Sequence, residues 1–270
     1  MDAAPIIERF RAPGITPAEV WDLPLNGRAF WLQVGGTRLA ELREAGRSEP
    51  AIAVEFVQAI TQALPLIAAR LGAFDRVVLA GGLTLLGGFG VAGAAVLPGG
   101  VFCAAGAADS DAELVADIGQ TAHKLALGAQ RVSIPRDLQR CPLVTVEHHA
   151  DLSPQTIAEL GDAACEFAAQ SIARGLQLGD ARTLWLALPV ALDDALLPGD
   201  CTYPGWEGDA GLVRSMLARA FELAGRAPAR VNVANDAELA ALAARKAGLC
   251  SGRTLVLTLG FGPGAAVVEA

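Results

Sequence analysis

The sequence gathers its Lys and Arg into no block: 21 basic residues are dispersed among 29 acidic ones, for a net charge of −8. That excludes the electrostatic footprint of a nucleic-acid binder and a docking patch for an anionic membrane. Aromatic residues are scarce at 5%, although 53% of the chain is hydrophobic, because much of the apolar content is alanine. Such a balance reads as Ala-rich helices over a packed sheet in a soluble protein. Cys103, Cys141, Cys165, Cys201 and Cys250 form no CxxC pair, so the cysteines suggest no zinc or redox site and read as reduced thiols. His148 and His149, adjacent in a strand, would point to opposite faces and not share a metal. The opening MDAAPIIERFRAPG lacks the basic start, apolar run and small-residue cleavage site of a secretory signal, which leads to the expectation of a cytoplasmic protein. No solenoid-type repeat is present.

One stretch is long enough to span a bilayer, since residues 83–108 run 26 positions without a charge. Seven glycines and Pro98 interrupt it, which predicts apolar turns and short buried pieces rather than one helix. Elsewhere apolar runs alternate with Ala/Leu-rich helical patterns, the signature of α/β layers. Strands are expected at 30–34, 77–79, 143–147, 184–188, 231–233 and 254–259, and helices at 52–71, 154–176, 210–224 and 236–247. Ser153-Pro154 and Asn235-Asp236 supply capping residues at or beside helix starts. A length of 270 residues suits two lobes around a cleft, and the change after the Gly/Ala-rich residues 99–110 puts a lobe boundary near 110.

Three segments could carry chemistry. In VADIGQTAHKLAL (115–127) a strand runs into Asp117, turns through Gly119 to Thr121 and returns through Lys124. Such a turn can present backbone N–H groups and a hydroxyl to phosphate, while the leading carboxylate holds Mg²⁺ through water; it is also ordinary hairpin chemistry. In VNVANDAELAALA (231–243) a buried strand delivers Asn235 and Asp236 to a helix start, where Asp236 could take a proton from a hydroxyl and Asn235 could hydrogen-bond a neighbouring one. A plain helix cap reads the same way. In RTLVLTLGFGPGAAVV (253–268) Gly260, Gly262 and Gly264 join two strand patterns, so a nucleotide phosphate could approach the backbone. This is not the dinucleotide fingerprint, because no helix pattern follows the glycines.

Taken together and in this order, the segments resemble the actin-like ATPase superfamily, and in particular its ROK sugar-kinase branch. In that family a DIGGT turn precedes a PG segment, YPGW-like and NDA segments, and a GTG-x-G turn. The counterparts here are Asp117-Ile118-Gly119-Gln120-Thr121, Leu188-Pro189-Val190, Tyr203-Pro204-Gly205-Trp206, Asn235-Asp236-Ala237 and Gly260-Phe261-Gly262-Pro263-Gly264. The resemblance covers about 150 residues and implies a two-lobed α/β fold of ribonuclease H-like halves. It implies Asp236 as catalytic base, Asn235 as substrate contact, and Asp117, Gly119 and Thr121 as the Mg²⁺ and first phosphate site. Gly260, Gly262 and Gly264 become the second phosphate loop. The implied ligands are ATP with Mg²⁺ and a small, sugar-like substrate, with no structural zinc, no nucleic acid, no membrane, and room for a homo-oligomer.

Such kinases continue well past the second phosphate loop, and residues 51–82 resemble their last long helix, strand and glycine turn, with Gly81 and Gly82 beside the adenosine. The expectation is a circular permutation, in which residues 1–110, completed by strands near 254–270, form the nucleotide-side lobe and 111–253 the substrate-side lobe. A second GGT turn, QVGGT at 33–37, competes for the first phosphate loop, but Gln33 stands where the family has aspartate. Phe261 replaces a phosphate-contacting threonine, Gln120 replaces a glycine, and Pro263 removes an N–H donor, each weakening a phosphate grip. The zinc-binding cysteine cluster and the GExGH sugar-binding segment are missing. Two functions follow: an ATP-dependent kinase of a hydroxyl on a small substrate, or a non-catalytic, regulatory relative that binds a metabolite or partner.

Overall fold

The structure, a computed structural model, describes residues 4–91, 93–142, 144, 146–149, 151–199 and 203–269. In chain order its elements are β1 (Ile6–Arg9), β2 (Ile15–Ala18), β3 (Pro24–Leu25), β4 (Arg28–Ala29), α1 (Gly36–Glu44), α2 (Glu49–Leu71), β5 (Arg76–Ala80) and β6 (Ala94–Val96). There follow β7 (Glu113–Ile118), β8 (Ala122–Leu127), β9 (Gln130–Pro135), α3 (Val146–His149), α4 (Pro154–Leu176) and β10 (Thr183–Leu188). The last are α5 (Leu212–Ala224), β11 (Arg230–Asn235), α6 (Asp236–Lys246), β12 (Thr254–Leu259) and β13 (Pro263–Val268). The chain is mixed α/β and divides into two compact units. Residues 1–11 and 108–236 make one; residues 12–107 and 237–270 make the other. The sequence had placed its boundaries at 110 and 253.

The first unit holds a six-stranded sheet in the order β1-β11-β10-β7-β8-β9. The strands β7, β8 and β9 form an antiparallel meander, and β10, β11 and β1 add to it in parallel. Alternation decides which face is packed: Leu114, Ala116 and Ile118 of β7, Leu184, Leu186 and Leu188 of β10, and Val231 and Val233 of β11 join one core cluster. Ala164, Ala168, Ile172 and Leu176 of α4 and Met216, Leu217 and Ala220 of α5 complete it. Fully burying each large aliphatic side chain there contributes about 1.5–3 kcal/mol. Small residues let α4 lie close to the sheet: a Cβ on Gly175 would come within 3.1 Å of Leu114. Ser153 starts this helix by accepting a hydrogen bond from the Thr156 N–H, with Pro154 in the first turn.

The second unit holds a five-stranded sheet in the order β2-β13-β12-β5-β6. Here β12, β13 and β2 form the antiparallel meander, and β5 and β6 run parallel to β12. Both sheets therefore share one plan: a meander whose first strand is flanked on its other side by parallel strands. In the second unit the first two strands come from residues 254–268 and the remainder from residues 15–96. Ile52, Phe56, Ile60, Ala63 and Ile67 recur every three or four residues along α2 and pack into a core with Val77, Leu79, Leu255, Leu257 and Leu259.

Of the regular elements expected from sequence, the helix at 154–176 and the strand at 254–259 have those bounds, and the helices at 52–71, 210–224 and 236–247 are shifted at their ends by one to three residues. Two expected strands are corrected. Residues 30–32 are a 3₁₀ turn in which the Gln33 N–H donates to the Phe30 carbonyl at 2.9 Å and the Val34 N–H reaches the same oxygen at 3.1 Å, with Phe30 and Val34 buried as an i,i+4 pair rather than alternating. Within 143–147, Val146 and Glu147 belong to α3, so His148 and His149 end a short helix; Leu143 and Thr145 lie outside the described residues. The uncharged stretch 83–108 is broken into 3₁₀ turns and β6. By length and composition alone, α2 is the helix among the described residues apolar enough to cross a membrane, with a mean hydropathy of 1.6 in its most apolar window. Cys141, Cys165 and Cys250 are free thiols, and Cys201 lies outside the described residues.

Candidate functional site

In the first unit the carboxyl ends of β7, β10 and β11 bring sequence-distant polar residues to one sheet edge. Across β10, Ala187 pairs with both Asp117 and Ala234, and Leu188 pairs with Asn235, so Asp117 and Asn235 reach the same edge one residue apart in register and on alternate faces of the sheet. In parallel α/β sheets this edge is where ligands bind. Asn235 donates from Nδ2 to the Val190 carbonyl at 3.0 Å, tying it to the segment that follows β10. Asp236 is the next residue and opens α6 half-buried.

Asp117 is 8% exposed, and its Oδ2 accepts a 2.9 Å bond from the Lys124 ammonium. Lys124 stands directly opposite it on β8. A charge-assisted bond of this kind is roughly twice as strong as a neutral one. The same ammonium would lie 3.3 Å from a Cβ on Gly119, and the Ala122 carbonyl only 2.8 Å, so this position accepts no side chain without movement. Residues Gly119 to Thr121 form an open bend.

The carbonyls of that bend are held from behind. The Tyr203 hydroxyl donates to the Gly119 carbonyl at 2.9 Å, Arg136 Nη1 to the Gln120 carbonyl at 3.2 Å, and the Arg136 N–H to the Thr121 carbonyl at 2.9 Å. The Tyr203 ring is stacked on Trp206, with centroids 4.1 Å apart, and carries the Arg136 guanidinium 4.3 Å from its centroid. Beneath lies His123, fully buried, with Nδ1 2.8 Å from the Ser171 hydroxyl. Burial, reinforced by the charges of Arg136 and Lys124, pushes the His123 imidazole down to about 3, so it is neutral at physiological pH.

In the second unit β5 and β12 are parallel neighbours, and the glycines that follow them meet at one edge. Gly81 has φ +94 and touches the end of β12: a Cβ there would lie 2.4 Å from the Leu259 carbonyl oxygen. Gly82 opens a 3₁₀ turn, and Gly260 and Gly262 form the bend between β12 and β13. Gly264 is displaced from the expected loop: it is a β13 residue paired with Thr258. The competing QVGGT segment also has a place here. The Gly36 N–H donates to the Phe261 carbonyl at 2.8 Å, and a Cβ on Gly35 would collide with that same oxygen at 2.3 Å. Close packing against Phe261 thus accounts for the Gly35-Gly36 pair, and the start of α1 is capped by protein. A shallow cleft lined by Thr16, Asp22, Arg70, Arg253 and Glu269 holds none of these residues, and its arginines pair with Asp22 and Glu269.

The structure therefore groups Asp117, Gly119, Thr121, Asn235 and Asp236 in one unit, and Gly81, Gly82, Gly260, Gly262 and Gly264 in the other. Sequence reasoning gave no role to Lys124, Arg136 or His123. Lys124 lay in the hairpin read from sequence, but its place opposite Asp117 depends on the register of β7 with β8, which a one-residue slip would change. Arg136 and the hydroxyl contact of Tyr203 had no local signal. Among the described residues no group of three or more His, Cys, Asp and Glu side chains could hold a metal ion. Comparison with family models, with curated proteins and with solved structures finds no match to the chain.

Proposed function

We propose that this protein is an ATP-dependent phosphotransferase acting on a hydroxyl of a small, sugar-like substrate, built on a circularly permuted actin-like ATPase fold of two ribonuclease H-like halves. The observation that carries this reading is the repeated sheet plan. In both units a meander strand ends in a glycine bend, at Gly119 after β7 and at Gly260 after β12, and the carboxylates stand at the first of these edges. The start of the second unit's meander at β12 rather than at β2 supports the permutation.

On this reading Asp236 accepts the proton of the attacking hydroxyl and Asn235 orients the substrate beside it. The bend at Gly119 to Thr121 receives phosphate oxygens on its N–H groups and the Thr121 hydroxyl. Mg²⁺ suits a site with one protein carboxylate, because it keeps most of its waters and takes phosphate oxygens as ligands. Asp117 would hold it, and the ion would neutralise charge on the phosphates. ATP as donor fits a cytoplasmic protein.

A non-catalytic relative that binds a metabolite or partner is the second reading. It is favoured by the Asp117–Lys124 ion pair, which engages the metal-binding carboxylate, and by the use of the Phe261 carbonyl to cap α1. Melting with and without millimolar Mg-ATP separates the two, because a ligand of the folded state at 100 times its Kd adds about 2.7 kcal/mol. The kinase reading expects a clear rise in Tm; an unchanged Tm favours the second reading. Asp236→Asn is then expected to abolish turnover of Mg-ATP and keep the Tm rise. Full turnover by that variant would remove Asp236 from the chemistry.

A further inference from the structure

Three successive carbonyls of the Gly119–Thr121 bend are each taken by a donor from elsewhere in the first unit, and only two residues supply all three donors. One of them is Tyr203, 84 residues away in sequence from the carbonyl it binds. The segment is an open bend rather than a hydrogen-bonded turn, so these contacts rather than local backbone geometry fix its peptide planes. A peptide plane whose oxygen is held inward carries its N–H on the opposite side. Holding three successive carbonyls therefore fixes the directions of the consecutive N–H groups of the bend, as a pre-formed anion site requires.

The hold on Tyr203 is itself built. Its ring lies between the Arg136 guanidinium and the Trp206 indole. The indole N–H donates to the Gly161 carbonyl of α4 at 3.3 Å. The loop can approach α4 this closely because both sides are glycine: a Cβ on Gly161 would lie 3.0 Å from the Pro204 carbonyl oxygen, and one on Gly205 2.8 Å from the Ile157 carbonyl oxygen. Arg136 is similarly fixed, with Nε donating to the Cys141 carbonyl at 2.6 Å and Nη2 to the Pro142 carbonyl at 2.9 Å. Every link is a specific contact to backbone or ring, and the chain of contacts ends on the bend.

We propose that Tyr203, clamped between Arg136 and Trp206, is a positioning residue that sets the Gly119–Thr121 backbone for binding the phosphates of a nucleotide. The role rests on the phosphotransferase reading, in which that bend receives phosphate. It also gives the Tyr203-Pro204-Gly205-Trp206 segment a physical role, that of joining α4 to the phosphate bend. Pre-organised donors bind an anion without an ordering cost at the moment of binding, so loosening the bend weakens phosphate binding selectively.

The test is Tyr203→Phe, which removes one hydroxyl and keeps the ring stack, titrated calorimetrically with Mg-ADP and with adenosine beside the unaltered protein. The expected result is a Kd for Mg-ADP raised about five- to tenfold, the loss that follows from one neutral hydrogen bond, with adenosine affinity within about twofold, since adenosine carries no phosphate to report on the bend. Equal weakening of both ligands, or of neither, overturns the positioning role and leaves the phosphotransferase reading standing. An unaltered protein that binds neither Mg-ADP nor Mg-ATP overturns the reading and this role together. Should Tyr203→Phe melt too low to titrate, Arg136→Lys keeps a cation over the ring and removes the guanidinium bond to Gln120, with the same split expected.

Discussion

Replacing Gly81 by alanine tests how the glycine edge of the second unit is assembled. Gly81 follows β5 with φ +94 and ψ 175, a region open almost only to glycine. Holding alanine there costs about 1–3 kcal/mol. The added Cβ would also stand 2.4 Å from the Leu259 carbonyl oxygen and 2.8 Å from the Leu259 nitrogen, both backbone atoms of β12 that cannot swing aside. Forcing a methyl into such packing costs about 1–3 kcal/mol more. The stiffer unfolded chain returns about 0.4–1 kcal/mol. The net expectation is a loss of about 3 kcal/mol, which urea unfolding followed by far-UV circular dichroism reads as a lowered midpoint with unchanged slope. Gly82 is the internal control: a Cβ there meets only Val101 at 3.5 Å, an ordinary contact. Gly82→Ala is expected to move stability by less than about 1 kcal/mol. Equal effects at the two positions would refute the close approach of the β5 end to β12, and with it the meeting of the two glycine segments.

Two further perturbations probe the first unit. His123 is pushed down to about 3 by burial, so below pH 6.5 the unfolded chain binds a proton that the folded one refuses. Its contribution is therefore complete above about 6.5 and is lost as pH falls toward 3, by up to about 1.4 kcal/mol per pH unit. His123→Asn should flatten the fall in urea stability between pH 7 and pH 5, and an unchanged slope would show that His123 titrates normally. Gly161→Ala, in the middle of α4, would ordinarily stabilise a helix by about 1 kcal/mol; here the close Pro204 carbonyl makes a loss of about 1–3 kcal/mol the expectation. A gain in the urea midpoint would mean that the Tyr203 loop does not lie against α4.

The sequence by itself determined the elements that bury a periodic face. The helix at 154–176 and the strand at 254–259 were legible because apolar spacing is a local property and because Ser153-Pro154 and the glycines mark the ends chemically. The hairpin carrying Asp117 was legible for the same reason, whereas the pairing of Asp117 with Lys124 was decided by the register the two strands adopt. The error at 30–34 arose where a short apolar run carries no decisive period, and the burial of Phe30 with Val34 chose a helical turn. Only the tertiary structure decided the pairing of β2 with β13, because a four-residue strand containing Pro17 acquires its identity from the partner it meets. The same holds for the clamp on the bend: Tyr203 and Arg136 reach its carbonyls across distances in sequence that no local pattern encodes. Local periodicity sets which face of an element is buried, whereas contacts between distant segments depend on how the buried faces close on one another.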